Sequence, residues 1–382
     1  MRKRHENDPG IDDRDGGTLT LPGAYEEPPD YDFRVAEHDT PTQMLGGDTP
    51  PFGLPVVAAP PPVASPAPRP VRDRLWPHLV WEIVLLAACI TEVLLILAEN
   101  EKAFRGGADS ALMLWVATAI LLGSAAALSL RAGMPNLAIG AIAIGAGADY
   151  AWLISEGRPF GSALAISLAG GALAGLVIAL FGTVFGVPSW AVSLGVAGLL
   201  SGLVPALAGS AARRVGNETP DVHVSAGWWL AGAVVLSVAG ALLLALPAFR
   251  RFVGRSRPIG DPARRVGFVA SIAAAGALAG SGALAAAAGL LDTANRGTSA
   301  AGYNGMAELA MIGFSVALLG GVSAHGRRGG IFGVVLAASL LGLVRLHLDL
   351  LGADKWVGAV ISGVAILLGL AVTRGMERFG QR

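Results

Sequence analysis

The stretch GSALAISLAGGALAGLVIALFGTVF, residues 161–185, contains no charged side chain. An α-helix needs about 20 apolar residues to cross a hydrocarbon core about 30 Å thick, so this stretch is long enough to span a membrane. Nine other segments of the same kind occur along the chain. The ten predicted spans are residues 79–98, 110–128, 135–154, 161–185, 190–208, 226–246, 266–291, 306–321, 331–351 and 356–373. The sequence therefore predicts an all-α fold, a polytopic membrane bundle of about ten transmembrane helices.

Two of the predicted spans carry signs of interruption. The third opens on GMPNLAIGAIAIGAGADY, residues 133–150, in which Pro135 and several glycines disfavour a continuous helix. The eighth, residues 306–321, is short and runs into a tight turn. Irregular backbone at membrane depth is tolerated only where protein surrounds it or where it lines a cavity. These spans are therefore predicted to be broken helices beside a cavity.

The overall composition agrees with a lipid environment. Hydrophobic residues make up 53% of the chain and charged residues 15%, whereas soluble domains carry about 25% charge. The 53 glycines favour close helix packing through small residues. Because 28 basic residues balance 28 acidic ones, the net charge gives no support to nucleic-acid binding.

The chain divides into three predicted regions. Residues 1–75 are rich in Pro, Asp, Glu and Gly and lack an apolar period, which predicts a disordered, Pro-rich cytoplasmic tail. Residues 76–376 form the transmembrane domain, and residues 377–382 a cytoplasmic carboxyl-terminal tail. The amino-terminal tail is either a tether or partner-binding arm, or an extension without a role in transport.

Basic side chains are concentrated in alternate connections. Residues 250–265 contain six arginines, and Arg327 and Arg328 follow the eighth span, although the other connections also carry some basic residues. Basic residues in short loops favour the cytoplasmic side of the membrane. We therefore expect a multi-pass protein of the plasma membrane with both termini in the cytoplasm.

Five motifs in order resemble the permease subunits of ABC importers of the ribose and branched-chain amino-acid type. They are RAGMPNLAIGAIA (residues 131–143), GVPSWAVSLGVAGLLSG (186–202), GRSRPIGDPARR (254–265), SGALAAAAGLL (281–291) and ALLGGVSAHGRRGGIFG (317–333). The resemblance covers residues 128–373, and its specificity lies in the order and spacing of the motifs. The third motif is shorter than the family's corresponding stretch.

The resemblance implies a transport subunit that is not itself an enzyme. It implies cytoplasmic ABC ATPase subunits, a second identical or different permease subunit, and an extracytoplasmic solute-binding protein as partners. In that family the third motif couples transport to the ATPase, which assigns coupling to Arg257, Gly260, Asp261 and Pro262. The implied cargo is a small polar solute, with a sugar favoured over amino acids and nucleosides. No cofactor is expected.

Three residues are predicted to lie on the substrate pathway. Asn136 follows Pro135 in the broken third span, where an amide can bond unpaired backbone groups. Asp149 is costly to place in lipid; it either bonds a polyol or ammonium group, or reaches the interface beside Tyr150. Ser193 is the hydroxyl residue of the second motif.

The residues also weigh against catalytic or metal chemistry. The histidines lack a second ligand at metal spacing, and no cluster of carboxylates marks a catalytic centre, so no catalytic residue and no metal ligand is assigned. Arg345 and Asp349, four apart, are predicted to form an ion pair, and Glu92 to accept a hydrogen bond inside the protein. The alternative function is a stand-alone membrane scaffold or enzyme that kept the permease fold without an ATPase partner.

Overall fold

The computed structural model describes residues 76–105, 107–208, 212–215, 222–256, 267–299, 304–326 and 329–381. Within them the chain forms eleven α-helices and no strand; the only β-type contact there is an isolated bridge between Arg214 and Thr298. The helices are α1 Trp76–Glu99, α2 Ala108–Arg131, α3 Ile139–Ser155, α4 Phe160–Val184, α5 Ser189–Ala208, α6 Ala226–Ala245, α7 Pro247–Gly254, α8 Phe268–Arg296, α9 Asn304–Leu319, α10 Gly333–Leu350 and α11 Lys355–Gln381. The predicted tail at residues 1–75 lies outside the described residues.

The ten predicted spans correspond to ten of these helices, which confirms the fold class. Eight are long and apolar enough to cross a membrane, and α3 and α9 are shorter apolar helices. α3 begins at Ile139, later than the predicted residue 135. Residues 132–138 form turns and irregular backbone around Pro135, which lacks the N–H that a helix needs. α11 continues to Gln381, into the predicted carboxyl-terminal tail. α7 is an additional helix of 8 residues that begins with Pro247 at its first turn.

Hydrogen bonds define one end of the bundle, which we name the basal end. The indole Nε1 of Trp81, near the start of α1, donates to Leu319 O at the end of α9 (2.7 Å). The backbone N–H of Phe332 donates to the Glu82 carboxylate (2.8 Å). Ser323, after α9, donates to Glu377 of α11 (2.5 Å). The starts of α1 and α10 and the ends of α9 and α11 therefore meet at this end.

The opposite end of the bundle is the distal end. There the backbone N–H of Ser299, after α8, donates to Arg213 O (2.8 Å), and His223, before α6, contacts Asn295 O (3.3 Å). The end of α5 and the start of α6 are thus distal. The membrane helices form two sets of five: α1–α5, and then α6 with α8–α11. The first set starts at the basal end and the second at the distal end. Each helix of the first set is therefore antiparallel to the helix in the same position of the second set.

Small residues let α8 pack at the centre of the bundle against α2, α3 and α4. A methyl group at Gly282 of α8 would collide with the backbone of Gly171 on α4, and one at Gly289 would collide with the backbone of Ala143 on α3. Such close backbone approach is typical of helix interfaces in membranes, where dispersion contacts replace the hydrophobic effect. Close helix packing through small residues, as the sequence predicts, is therefore present at these glycines.

The two short helices occupy matching places. α3, with 17 residues, is the third of the first five membrane helices, and α9, with 16 residues, is the third of the second five. They also touch: a methyl group at Gly140 of α3 would collide with the Met306 carbonyl and lie 2.8 Å from the Ala310 nitrogen on α9. The bundle thus holds a pair of short helices in close contact.

Candidate functional site

Asn136 lies in the non-helical segment between α2 and α3 and is fully buried. Its amide donates to Ser281 Oγ (3.2 Å), and its side-chain oxygen accepts from the N–H of Ala138 (3.1 Å). The Ser281 hydroxyl in turn donates to Ala125 O on α2 (2.8 Å). Asn136 therefore bonds the start of α3 to α8 and replaces helix bonds that the interruption removes.

Ser193 of α5 supports the same segment from the other side. Its hydroxyl accepts from the N–H of Leu137 (3.0 Å) and donates to Trp190 O (2.9 Å), and its side chain is buried. Two of the three residues predicted for the substrate pathway, Asn136 and Ser193, thus converge on residues 136–138. Their hydrogen bonds go to protein groups, so the geometry gives them a positioning role at the break.

Asp149 of α3 lies apart from them, in a cavity of about 510 Å³ between α3, α4 and α5. We name it the apolar cavity, because its walls are mainly aliphatic and small side chains from the three helices. One carboxylate oxygen of Asp149 accepts from the Ser167 hydroxyl of α4 (2.7 Å). Trp152, one turn after Asp149, lines the same cavity. Asp149 is the only carboxylate among the described lining residues.

A second cavity, of about 520 Å³, lies at the distal end among α8, α9, α10, α11 and the start of α2. We name it the charged cavity. Its ionisable lining residues are Arg296, Glu308, Arg345, Asp349 and Asp354. A much smaller space beside it shares several of these residues and adds Asp292 of α8. Three helices, α8, α9 and α10, and the connection before α11 thus bring charged groups to one place.

The charges in this cavity are paired to different extents. Arg296 donates to Asp292 at 3.0 Å, and the Asp292 side chain is largely buried. The Arg345 guanidinium lies 5.4 Å from the centre of the Trp115 ring, within cation–π range. Its predicted ion pair with Asp349 is confirmed, at the long distance of 4.0 Å. Arg345 therefore contacts the Trp115 ring and, at the limit of an ion pair, the Asp349 carboxylate.

The sequence did not point to this cavity as a site. Arg345 and Asp349 were interpreted as a structural pair, and Asp292, Arg296 and Glu308 were not singled out. A signal was present, because Asp292 and Arg296 are also four apart at a helix end. What the sequence lacks is the packing that brings the ends of α8 and α10 beside the start of α9.

His347 joins α10 to α1. One ring nitrogen lies 2.6 Å from the Glu92 carboxylate, and the other lies 3.0 Å from that of Glu99. This contact confirms that Glu92 is hydrogen-bonded inside the protein. Among the described residues there is no group of three His, Cys, Asp or Glu side chains placed to hold a metal ion.

The four predicted coupling residues, Arg257, Gly260, Asp261 and Pro262, lie outside the described residues. The helix before them is described: α7 carries Arg250 and Arg251, and Ser256 just after it donates to Ala132 O (2.8 Å). That hydrogen bond places the end of α7 beside the segment between α2 and α3, at the basal end.

The fold and these features define a polytopic helical membrane protein. Comparison with known proteins adds no closer relationship: no family model matches the chain, and neither a curated protein nor a solved structure does.

Proposed function

We propose that this protein is a membrane permease that moves a small polar solute. The observation that carries the proposal is the contact between the short helices α3 and α9, which hold the same place in two oppositely directed sets of five helices. Secondary transporters with inverted repeats place their substrate path at interrupted helices in corresponding positions of the two halves. A simple anchor or scaffold has no need for a short helix in the middle of each half.

The charged cavity supports the same proposal. It is lined by α9 and opens at the distal end, and its carboxylates and guanidinium groups can accept and donate hydrogen bonds to a hydroxylated or charged solute. Among the solutes that fit, a sugar remains the sequence-based proposal.

The distribution of basic residues supports a cytoplasmic basal end. The described residues place six arginines at this end (Arg131, Arg250, Arg251, Arg255, Arg374 and Arg378) and eight basic residues at the distal end (Lys102, Arg105, Arg158, Arg213, Arg214, Arg296, Arg345 and Lys355). The bias comes from the sequence, which adds Arg257, Arg264, Arg265, Arg327 and Arg328 to the two connections that leave the basal end. The third motif, with its further arginines, belongs to the same connection as α7. By the positive-inside rule the basal end is cytoplasmic, and the charged cavity then faces the extracytoplasmic side of a plasma membrane.

The energy source follows from the sequence resemblance. A nucleotide-binding signature with Lys followed by Ser or Thr is absent from the sequence, so ATP hydrolysis is assigned to separate ABC ATPase subunits. They would dock on the basal connection that holds Arg257, Gly260, Asp261 and Pro262. A second permease subunit and an extracytoplasmic solute-binding protein complete the proposed assembly.

The test is purification of the tagged protein from its native host in a mild detergent, with ATPase activity measured in the same fractions. We expect a nucleotide-binding subunit to co-purify, and its activity to be lost when residues 260–262 are replaced by serines. The matched control replaces Glu101 and Lys102, in the short distal connection between α1 and α2, and should leave the activity unchanged.

Each outcome assigns a different function. Loss of ATPase activity only in the basal variant supports the ABC permease, and sugar uptake by the reconstituted complex then identifies the cargo. A preparation without an ATPase subunit contradicts the ABC assignment and favours the stand-alone membrane protein. Equal loss in both variants means that the changes damaged the fold, and the coupling assignment then fails.

A further inference from the structure

The apolar cavity contains a carboxylate that its surroundings do not neutralise. Asp149 lies six residues before the end of α3, which is about 9 Å along the helix axis. Its hydrogen bond from Ser167 satisfies one oxygen. The described residues that line the cavity include no Lys, Arg or His. The Asp149 carboxyl group therefore faces mainly apolar walls, and among the described lining residues its hydrogen-bond partner is the Ser167 hydroxyl.

The cavity opens on the surface of the bundle. Ile166 of α4 and Leu203 of α5 line it and are 46% and 49% exposed, and Trp152 is 37% exposed. Its volume of about 510 Å³ lies within the usual range for small-molecule pockets, roughly 300–1,000 Å³. A ligand can thus enter from the side and reach Asp149 without displacing a helix.

We propose that this cavity binds an amphipathic organic cation, an ammonium group attached to an apolar body. The ammonium group bonds the Asp149 carboxylate and supplies the missing counter-charge. The Trp152 indole lies on the same face of α3 and offers a second, cation–π contact. The apolar body packs against the aliphatic side chains of Ile142, Leu200 and Val204. These side chains offer no hydrogen bonds to a polar solute.

Charge complementarity separates this ligand from the membrane's own phospholipids. A phospholipid with an amine headgroup also carries a phosphate, which would lie within a few ångströms of Asp149. The described lining residues offer no cation to bind that phosphate, so like-charge repulsion opposes it. The occupant is therefore a cation without an anionic group. This site is distinct from the charged cavity and does not depend on an ATPase partner.

The experiment measures ligand binding to the purified full-length protein in phosphatidylcholine nanodiscs. The probe is radiolabelled 4-phenylbutylammonium, and the matched neutral ligand is 4-phenylbutanol. We expect Asp149→Asn to weaken binding of the cation at least about tenfold, because a charge-assisted bond is lost, and to leave binding of the alcohol unchanged. Glu101→Gln, which removes an exposed carboxylate from the short connection between α1 and α2, should change neither.

A second variant tests the location. Leu203→Trp fills the apolar cavity and should prevent binding of both ligands. Unchanged cation binding in Asp149→Asn or in Leu203→Trp would overturn the site, and so would equal affinity of the wild-type protein for the two ligands. Competition by lysophosphatidylethanolamine at equal concentration would overturn the choice of occupant. These results come from binding alone, so they are separable from a failure of the proposed transport function.

Discussion

The two cavities have nearly the same volume, about 510 and 520 Å³, and opposite chemistry. In the apolar cavity a single carboxylate, Asp149, faces aliphatic walls. In the charged cavity the basic Arg296 and Arg345 lie among four carboxylates when adjoining Asp292 is included. Because the two cavities have similar volumes but different ionisable residues, volume does not decide what each cavity can bind. The ionisable side chains decide it.

The packing around the cavities differs as well. Gly171 lines the apolar cavity and also contacts α8, so a Cβ added there would collide with α8. Gly358 of α11 lines the charged cavity, and a Cβ added there would meet no atom within 4 Å. The apolar cavity is therefore bounded by one of the tightest helix contacts in the bundle. At Gly358 the charged cavity leaves room for a side chain, as the apolar cavity does at Gly170.

The largest effect is expected from adding a methyl group at that tight contact. In Gly171→Ala the new Cβ would lie 2.5 Å from Ala286 Cβ and 2.6 Å from Gly282 O, and the backbone there cannot yield cheaply. The neighbouring Gly170 also lines the cavity but meets nothing within 4 Å. We expect Gly171→Ala to be less stable than Gly170→Ala by about 2 kcal/mol.

The comparison of the two alanine variants is internally controlled. Both gain the same helix propensity, about 1 kcal/mol at most, so their difference reports the contact with α8. In thermal unfolding followed by size-exclusion chromatography in maltoside, Gly171→Ala should melt about 4 °C or more below Gly170→Ala. Equal melting temperatures would mean that α4 and α8 are farther apart than the structure places them.

The next effect distinguishes the cavities by charge. Removing Arg296 leaves the largely buried Asp292 without this partner. Arg296→Met should therefore lower stability by about 1–2 kcal/mol. The loss is smaller than for breaking a fully buried ion pair, because half of the Arg296 side chain is exposed. The double variant Asp292→Asn, Arg296→Met should recover most of the loss in the same unfolding assay. A double variant no more stable than Arg296→Met would show that Asp292 is not what the arginine neutralises.

The same kind of change should have the opposite sign in the apolar cavity. Asp149→Asn removes a charge that has no ion pair within the described part of the chain, and the amide can still accept from Ser167. In the ligand-free protein this variant should be as stable as the wild type or more stable by up to about 1 kcal/mol. Thermal unfolding without added ligand measures it, and a clear loss of stability would reveal a cationic partner of Asp149.

The fold was predictable from the sequence because the length and apolar composition of a segment are enough to identify a membrane helix. The ten segments, the break at residues 133–138 and the short eighth span all depend on local composition. The site was less predictable, because its geometry depends on which helices are neighbours. Asn136 was noticed for its chemistry, yet its amide bonds Ser281, which is 145 positions away. Glu308 and Arg296 share a cavity only because the starts and ends of five helices meet.

The smallest effect tests what holds Arg345 in the charged cavity. Its guanidinium is 5.4 Å from the Trp115 ring centre, while its contact with Asp349 is 4.0 Å long and the Asp349 side chain is 70% exposed. A double-mutant cycle of Arg345→Met with Trp115→Leu should give a coupling of about 0.5–1 kcal/mol. The matched cycle with Asp349→Asn should give a coupling near zero. If the coupling with Asp349 is the larger one, the ion pair rather than the indole positions the Arg345 guanidinium. The stability contributed by the charged cavity should then fall with added salt, and that contributed by the apolar cavity should not.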